Sequence, residues 1–242
     1  MRLTRVYVEE KLATGQTCVL QGSAANHIMR VLRLRDGDAL TLFDGRGGEY
    51  AGRITGFRKD SVQVEVQEHR DVERESQLQL TLAQGISRGE RMDWVMQKAT
   101  ELGVTRIVPV ITGRTVVKLD EKQSARKVEH WRAIVIAACE QSGRNRVPEV
   151  TAPCVLAELL RDDDIHGHKL LLSPNGDLNA RDLALTGRAL LLVGPEGGLS
   201  PDEQELAIRH GFRQVRMGPR VLRTETAAIA ALTILQHDYG DL

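Results

Sequence analysis

The hydrophobic period changes once along this chain of 242 residues, and the change points to two different architectures in series. Up to about residue 73, apolar and polar residues alternate in short runs: RVYVEE, TCVLQG, DALTLFDG, EYAGRITGF and SVQVEVQEH. A period of two is that of strands with one buried face. Asp36-Gly37, Asp44-Gly45 and Lys59-Asp60 supply turn chemistry at the joints. The pattern predicts a small β-barrel closed by one helix, Ala24–Arg33. From Leu78 onward strands alternate with helices instead. LQLTLAQGI, TRIVPVI, KLLLSP, ALLLVGP and FRQVRMGP read as strands, and helices are expected near Glu90–Leu102, Asp120–Ser142, Ser200–His210 and Glu225–His237. That order specifies an α/β domain with a mostly parallel sheet. Asp71–Gln77, DVERESQ, is charged and apolar-poor and reads as the linker, giving domains over 1–73 and 74–242.

One segment of the second half is built for contact. In LLLVGPEGGLSPDEQEL, Leu190–Leu206, the apolar run Ala189–Val193 fits a strand covered on both faces. Gly194, Gly197 and Gly198 then let another group approach the main chain. Ser200 caps the following helix, Pro201 suits its first position, Glu203 completes a capping box, and Asp202 sits well on the dipole. Glu196 and this acidic first turn would repel a phosphate, and neither GxGxxG nor GxxxxGK[ST] is present. The loop alone also fits a tight turn without a ligand. Three strands end alike, however, at Ser173-Pro174, Gly194-Pro195 and Gly218-Pro219. Ligands of parallel sheets gather beyond the carboxyl ends of strands, so three such loops suit one pocket.

Charge excludes little globally, because 33 basic and 33 acidic residues cancel. Locally Gln84–Arg146 carries a net +5 and Val147–His210 a net −6, which places basic and acidic segments in one neutral chain. Of the 33 basic residues 26 are Arg, the better fork for phosphate and the better stacker on bases. Cys18, Cys139 and Cys154 are scattered and lack CxxC spacing, which argues against a disulfide framework or a zinc site and fits a reducing cytoplasm. The N-terminus lacks a signal-peptide core and no run approaches a membrane span.

Taken in order, QKATELGVTRIVPV, EQSGRNRVPEV, LLVGPEGGLSPDE and RMGPRVLRTETAAIAAL resemble the RsmE family of methyltransferases, which act on uracil N3 in 16S ribosomal RNA of the small subunit. NHIMRVLRLRDGDALTLFDGRGGEY is similar to that family's N-terminal PUA-like barrel. The resemblance implies a knotted SPOUT-type α/β domain that binds S-adenosylmethionine. General topology rules would not have led to a knot. It further implies a cofactor site at Leu172, Ser173, Gly194, Glu196, Gly197, Gly198, Met217, Gly218, Leu222 and Thr226. A side chain added at Gly197 is expected to occupy the adenosine's space.

Other residues keep two readings. Arg220 and Arg223 fit a solvated loop, or by resemblance the cofactor or RNA edge. CEQSGRNR reads as a polar helix end with Gly143 as its C-terminal cap; the resemblance turns Glu140, Gln141 and Arg144 toward the active site. Trp94, Val95 and Leu102 are expected in the core, whereas Arg88, Arg91 and Lys98 fit a solvated face or a phosphate grip. Arg30, Arg33 and Arg35 cluster at the end of the barrel's helix and suit RNA phosphates. His166 and His168 receive no role, and no metal is expected.

Methyl transfer from a sulfonium needs positioning and charge handling rather than a metal. Uracil N3 must first lose its proton, so Arg223 is the candidate to stabilise the developing anion and Glu140 the candidate acceptor. The target base must be unpaired or flipped out. A ribose 2′-O-methyltransferase and a non-catalytic RNA-binding assembly factor are the alternatives. The expected partners are ribosomal RNA or the small subunit and a second copy of the chain, with neither DNA nor membrane. A homodimer follows from the resemblance and from the last helix, which is apolar almost all round from Ala227 through Leu235.

Overall fold

The computed structural model describes residues 4–116, 120–162, 167–179 and 182–242. The chain forms two compact units, Met1–Glu75 with Cys139–Val147, and Ser76–Ala138 with Pro148–Leu242. His166 lies outside the described residues.

In the first unit β1 (Arg5–Tyr7), β2 (Thr17–Gln21), β3 (Ala39–Phe43), β4 (Glu49–Arg58) and β5 (Ser61–Arg70) form one sheet in the order β1-β3-β4-β5-β2. β1 runs parallel to β3 and the other pairs are antiparallel. The expected alternation is real: Val62, Val64 and Val66 are fully buried, while Glu65 between them is exposed. Val6, Leu20, Leu42, Ile54 and Val64, one from each strand, share a single core, so the sheet curls around its own interior. The helix differs from expectation. α1 (Gly22–Asn26) passes into a π-helical turn, His27–Leu32, closed by Arg33 in the left-handed conformation at φ 53°. Ala25 and Ile28 enter the core, leaving Arg30, Val31, Arg33 and Arg35 exposed.

The same unit holds a closed cluster of charge. Arg5 Nη1 donates to Glu49 Oε2 at 2.5 Å and Arg5 Nη2 to Asn145 Oδ1 at 2.5 Å. Arg74 Nη1 reaches Glu49 Oε2 at 3.4 Å and the Gly143 carbonyl at 2.9 Å. Arg144, 4% exposed, pairs with Glu75 through Nε at 3.0 Å and through Nη2. Burial works against the Glu49 charge, but hydrogen bonding and charge from Arg5, then Arg74, outweigh it and hold the carboxyl below the usual range.

The second unit contains β6 (Gln79–Gly85), β7 (Val104–Ile111), β8 (Glu149–Val150), β9 (Cys154–Val155), β10 (His168–Leu172), β11 (Leu178–Asn179), β12 (Arg188–Val193) and β13 (Arg213–Arg216). Among the described residues the order is β11-β13-β10-β12-β6-β7-β8, with β9 beside β7, and every pairing is parallel. Its helices are α2 (Glu90–Glu101), α3 (Glu121–Ser142), whose last four residues cluster with the first unit, α4 (Leu156–Leu160), α5 (Pro201–Arg209) and α6 (Thr224–Tyr239). Ala189–Val193 is buried throughout, as a strand covered on both faces requires. In α2, Met92, Val95, Met96 and Ala99 form the buried stripe at helical spacing. Trp94 lies off that stripe and is 58% exposed, so its expected place in the core is corrected; Leu102 is half-buried.

The strand order positions the site. β6 leads to β7 on one side, β10 comes back on the other, β12 enters between β6 and β10, and β13 adds beyond β10. The carboxyl ends of β13, β10 and β12 therefore lie side by side. Among the described residues no helix is long and apolar enough to cross a membrane.

Candidate active site

A cavity of about 550 Å³ opens where the loops after β10, β12 and β13 meet. Leu171, Leu172, Val193, Leu199, Met217 and Leu222 give it apolar walls, and the Gly194–Gly198 backbone forms one side. Two glycines make this packing possible. A Cβ on Gly194 would sit 2.9 Å from both Gly198 C and Leu199 N, and one on Gly85 would sit 2.4 Å from Pro195 N. The turn is closed by Gly198 N donating to Pro195 O at 2.8 Å. Beyond it the expected capping box is present, with Glu203 N to Ser200 Oγ at 3.2 Å and Ser200 N to Glu203 Oε2 at 2.8 Å.

A buried polar knot of side chains anchors the loop. At the start of α6, Arg223 occupies the capping position without a side-chain bond. The Thr224 hydroxyl donates to the Gly194 carbonyl at 2.6 Å. Gln84, fully buried at the end of β6, donates through Nε2 to Thr224 Oγ1 at 2.9 Å and to Gly85 O at 3.1 Å. Arg114, in the loop after β7, donates from Nη1 to Gly197 O at 2.7 Å. A Cβ on Gly197 would meet the Arg114 side chain at 3.2 Å, so added bulk there presses on Arg114 first. Gln84 and Arg114 were missed from sequence. The one available signal was Gln84, a polar residue falling in the same alternating register as Leu78, Leu80 and Leu82 in LQLTLAQ.

Charged side chains ring the cavity: Arg91, Arg114, Glu196, Arg220, Arg223 and Glu225. Glu196 Oε1 accepts from Arg88 N at 2.9 Å and Arg91 Nη1 at 2.8 Å. Burial opposes its charge, but the Arg88 amide, its own amide and Arg91 prevail and hold it below the ordinary carboxylate range. Arg220 and Arg223 are exposed and face no carboxylate among the described residues. The cavity thus pairs an apolar cleft with exposed cations at its rim, the form of a site for a partly apolar ligand and an anionic partner.

Of the cofactor residues expected from sequence, Leu172, Ser173, Gly194, Glu196, Gly197, Gly198, Met217, Gly218 and Leu222 line this cavity; Thr226 is exposed and does not. Arg91, Arg220 and Arg223 also line it. Arg88 contributes its backbone amide to Glu196. Glu140 and Gln141 belong to the first unit and are not among the lining residues. Glu140 Oε1 accepts from Tyr7 N at 3.0 Å, and burial raises its pKa against that bond and the charges of His27 and Arg5. Arg144, which the resemblance turns toward the active site, is engaged in a buried pair with Glu75. Among the described residues no group of three or more His, Cys, Asp or Glu is placed to hold a metal.

This arrangement of three strand-end loops has counterparts. A family model described as an RNA methyltransferase domain matches residues 74–236, and one described as an RNA methyltransferase PUA domain matches 20–67. The ribosomal RNA small subunit methyltransferase E of Bacillus subtilis is 33% identical over 247 residues, covering 98% of this chain and 94% of that protein. The chain belongs to that family. The same enzyme of Buchnera aphidicola, from Schizaphis graminum, is 33% identical across 100% of this chain and 98% of its own. Two solved structures cover the whole of both chains. One is a methyltransferase from Legionella pneumophila in complex with the bound cofactor S-adenosylmethionine, at 44% identity and a TM-score of 0.96. The other is a ribosomal RNA small subunit methyltransferase E from Neisseria gonorrhoeae bound to S-adenosyl methionine, at 40% identity and 0.92.

Proposed function

We propose that the protein transfers a methyl group from S-adenosylmethionine to N3 of a uridine in 16S ribosomal RNA. The observation that carries this reading is the cavity walled by the ends of β10, β12 and β13, with S-adenosylmethionine present in two whole-chain relatives. The residues fit an adenosine. Leu172, Met217 and Leu222 offer apolar surface, Gly194–Gly198 offers backbone without side chains, and the volume of about 550 Å³ is within the range of small-molecule sites. When bound, the cofactor supplies an electrophilic methyl on a cationic sulfur, which supports chemistry without a metal.

The protein's own work is then orientation and charge. The apolar walls exclude water from the reacting groups. Arg223, at the rim and without a carboxylate partner, is placed to meet the anion that develops on the uracil carbonyls as N3 loses its proton. Exposed Arg30, Arg33 and Arg35 on the N-terminal unit suit RNA phosphates, and Arg88 and Arg220 suit the same partner. The knotted path of the family's α/β domain and domain limits at 1–73 and 74–242 belong to this reading. So does a homodimer. Ala227, Ile229, Ala230 and Ile234 of α6 are only half-buried, an apolar face that a second copy would cover. A cytoplasmic protein that binds neither DNA nor membrane completes the proposal.

Mass mapping of ribosomal RNA from cells lacking the protein tests it. One N3-methyluridine of the small subunit should disappear and return with the plasmid-borne gene. Loss of a ribose methyl group instead, or no change, would reject it.

A further inference from the structure

Methylation at N3 releases a proton, and Glu140 is not among the residues lining the cavity. Two carboxylates do line it, Glu196 and Glu225. They differ in what they already hold. Glu196 accepts from the Arg88 amide and from Arg91. Such bonds to the charged form make a carboxylate a poor proton acceptor. Glu225 accepts no hydrogen bond from any described residue, and its Oε2 is buried without a partner. Its nearest charge is Arg91, whose Nε lies 4.0 Å from Oε1, beyond hydrogen-bond reach. A buried acceptor left empty is costly and calls for an explanation.

We propose that Glu225 is the catalytic proton acceptor for the uracil N3–H. The proposal rests on the base-methylation reading above. Glu225 stands in the first turn of α6, two residues from Arg223. One short segment therefore carries both the group that takes the proton and the group that steadies the anion left behind. The terminal torsion of a Glu side chain is soft, so either oxygen can turn to an incoming N–H. In the step, the N3–H bond breaks and its proton passes to the Glu225 carboxylate. The N3 electron pair forms the new bond to the methyl carbon. The carbon–sulfur bond breaks with its electrons staying on sulfur, which becomes a neutral thioether, and Glu225 later returns the proton to water. Arg91 from α2, Glu196 from the loop after β12, Arg114 from the loop after β7, and Arg220 and Arg223 beside α6 are the charged groups around the same cavity. Glu196 and Arg91 neutralise one another.

The test begins with the wild-type product. Mass spectrometry of treated RNA must give N3-methyluridine, which checks the base-methylation reading by itself. The full-length Glu225→Gln variant is then compared over a pH series. Its kcat should fall by about 10²–10⁴-fold at neutral pH, the usual contribution of a positioned base. The deficit should shrink at alkaline pH, where the uracil sheds its proton unaided. Calorimetric affinity for S-adenosylmethionine should stay within about threefold, as expected for a group acting only in the chemical step. Glu225→Asp, which keeps a carboxylate on a shorter stem, should recover part of kcat with a pH profile like the wild type. It decides the matter if the Gln variant does not fold. A wild type that makes N3-methyluridine beside a Gln variant of unchanged kcat would overturn the proposal. So would a deficit equal at every pH, or a collapse of cofactor affinity, either of which makes Glu225 a structural or cofactor contact.

Discussion

In the N-terminal unit Arg5 and Arg144 meet Glu49 and Glu75 in a largely buried cluster that the more exposed Arg74 joins from outside, whereas around the cavity of the second unit Arg220 and Arg223 face no carboxylate among the described residues. The same residue types are used to opposite ends. Charges matched internally hold a structure together but have nothing left to offer a ligand, and breaking one pair strands its partner away from water. Charges left unmatched at a cleft contribute little to folding and keep their bonding capacity for a substrate. Substitutions in the first group should therefore move stability, and those in the second should move binding or turnover.

The largest expected effect breaks the cavity itself. Gly194→Val should lower S-adenosylmethionine affinity more than about 100-fold by calorimetry, since its Cβ would meet backbone that cannot yield. Gly197→Val should lose only about tenfold, because its Cβ would meet Arg114 Cβ at 3.2 Å, a milder contact than the backbone overlap at Gly194. Equal losses would remove the distinction between the two positions.

Next comes the buried cluster. Glu75→Ala should reduce the free energy of unfolding in a denaturant titration by about 3–5 kcal/mol by removing the carboxylate that pairs with the buried Arg144. Arg223→Ala provides the contrast, with kcat about 100-fold lower and an unfolding midpoint that barely shifts. If the Arg223 variant proves as unstable as the Glu75 variant, the two groups of charge are not different in kind.

The smaller effects concern RNA and pH. Replacing Arg30 and Arg33 by Ala should weaken RNA binding about tenfold and flatten its salt dependence by roughly one unit of slope per lost phosphate contact. Cofactor affinity should not change. Glu49 carries a folded pKa below its unfolded value, so its stabilisation is complete above the unfolded pKa and is lost as pH falls through the folded one. Glu49→Gln should accordingly show a shallower loss of stability on acidification than the wild type.

Most of the framework was legible because it rests on local rules. The uninterrupted run Ala189–Val193 fitted a strand covered on both faces, and Ser200, Pro201 and Glu203 specified the start of α5 to the residue. The three Pro-marked strand ends were readable as one pocket, since a parallel sheet sends its carboxyl ends to one side. Trp94 misled because bulk and apolarity argue for burial, while the stripe Met92, Val95, Met96 and Ala99 had already claimed the inner face of α2. Glu140 and Arg144 were placed at the active site by resemblance, yet the structure gives them internal partners, Tyr7 and Glu75. Gln84, Arg114 and Glu225 were out of reach for another reason. What sets them apart is a partner more than a hundred positions away, a carbonyl exposed by a glycine turn, or the lack of a hydrogen-bond partner, and none of these has a period. The two-residue strands β8, β9 and β11 are likewise shorter than any repeat that could announce them.

The Gln84–Thr224–Gly194 bonds also fix when, during synthesis, this protein can begin to work. Gln84 and Thr224 are 140 residues apart. A chain still leaving the ribosome exposes β6 and the glycine turn long before the hydroxyl that ties them exists. Contacts of such separation form late and slowly. Partial chains that stop short of Thr224 therefore lack a finished pocket.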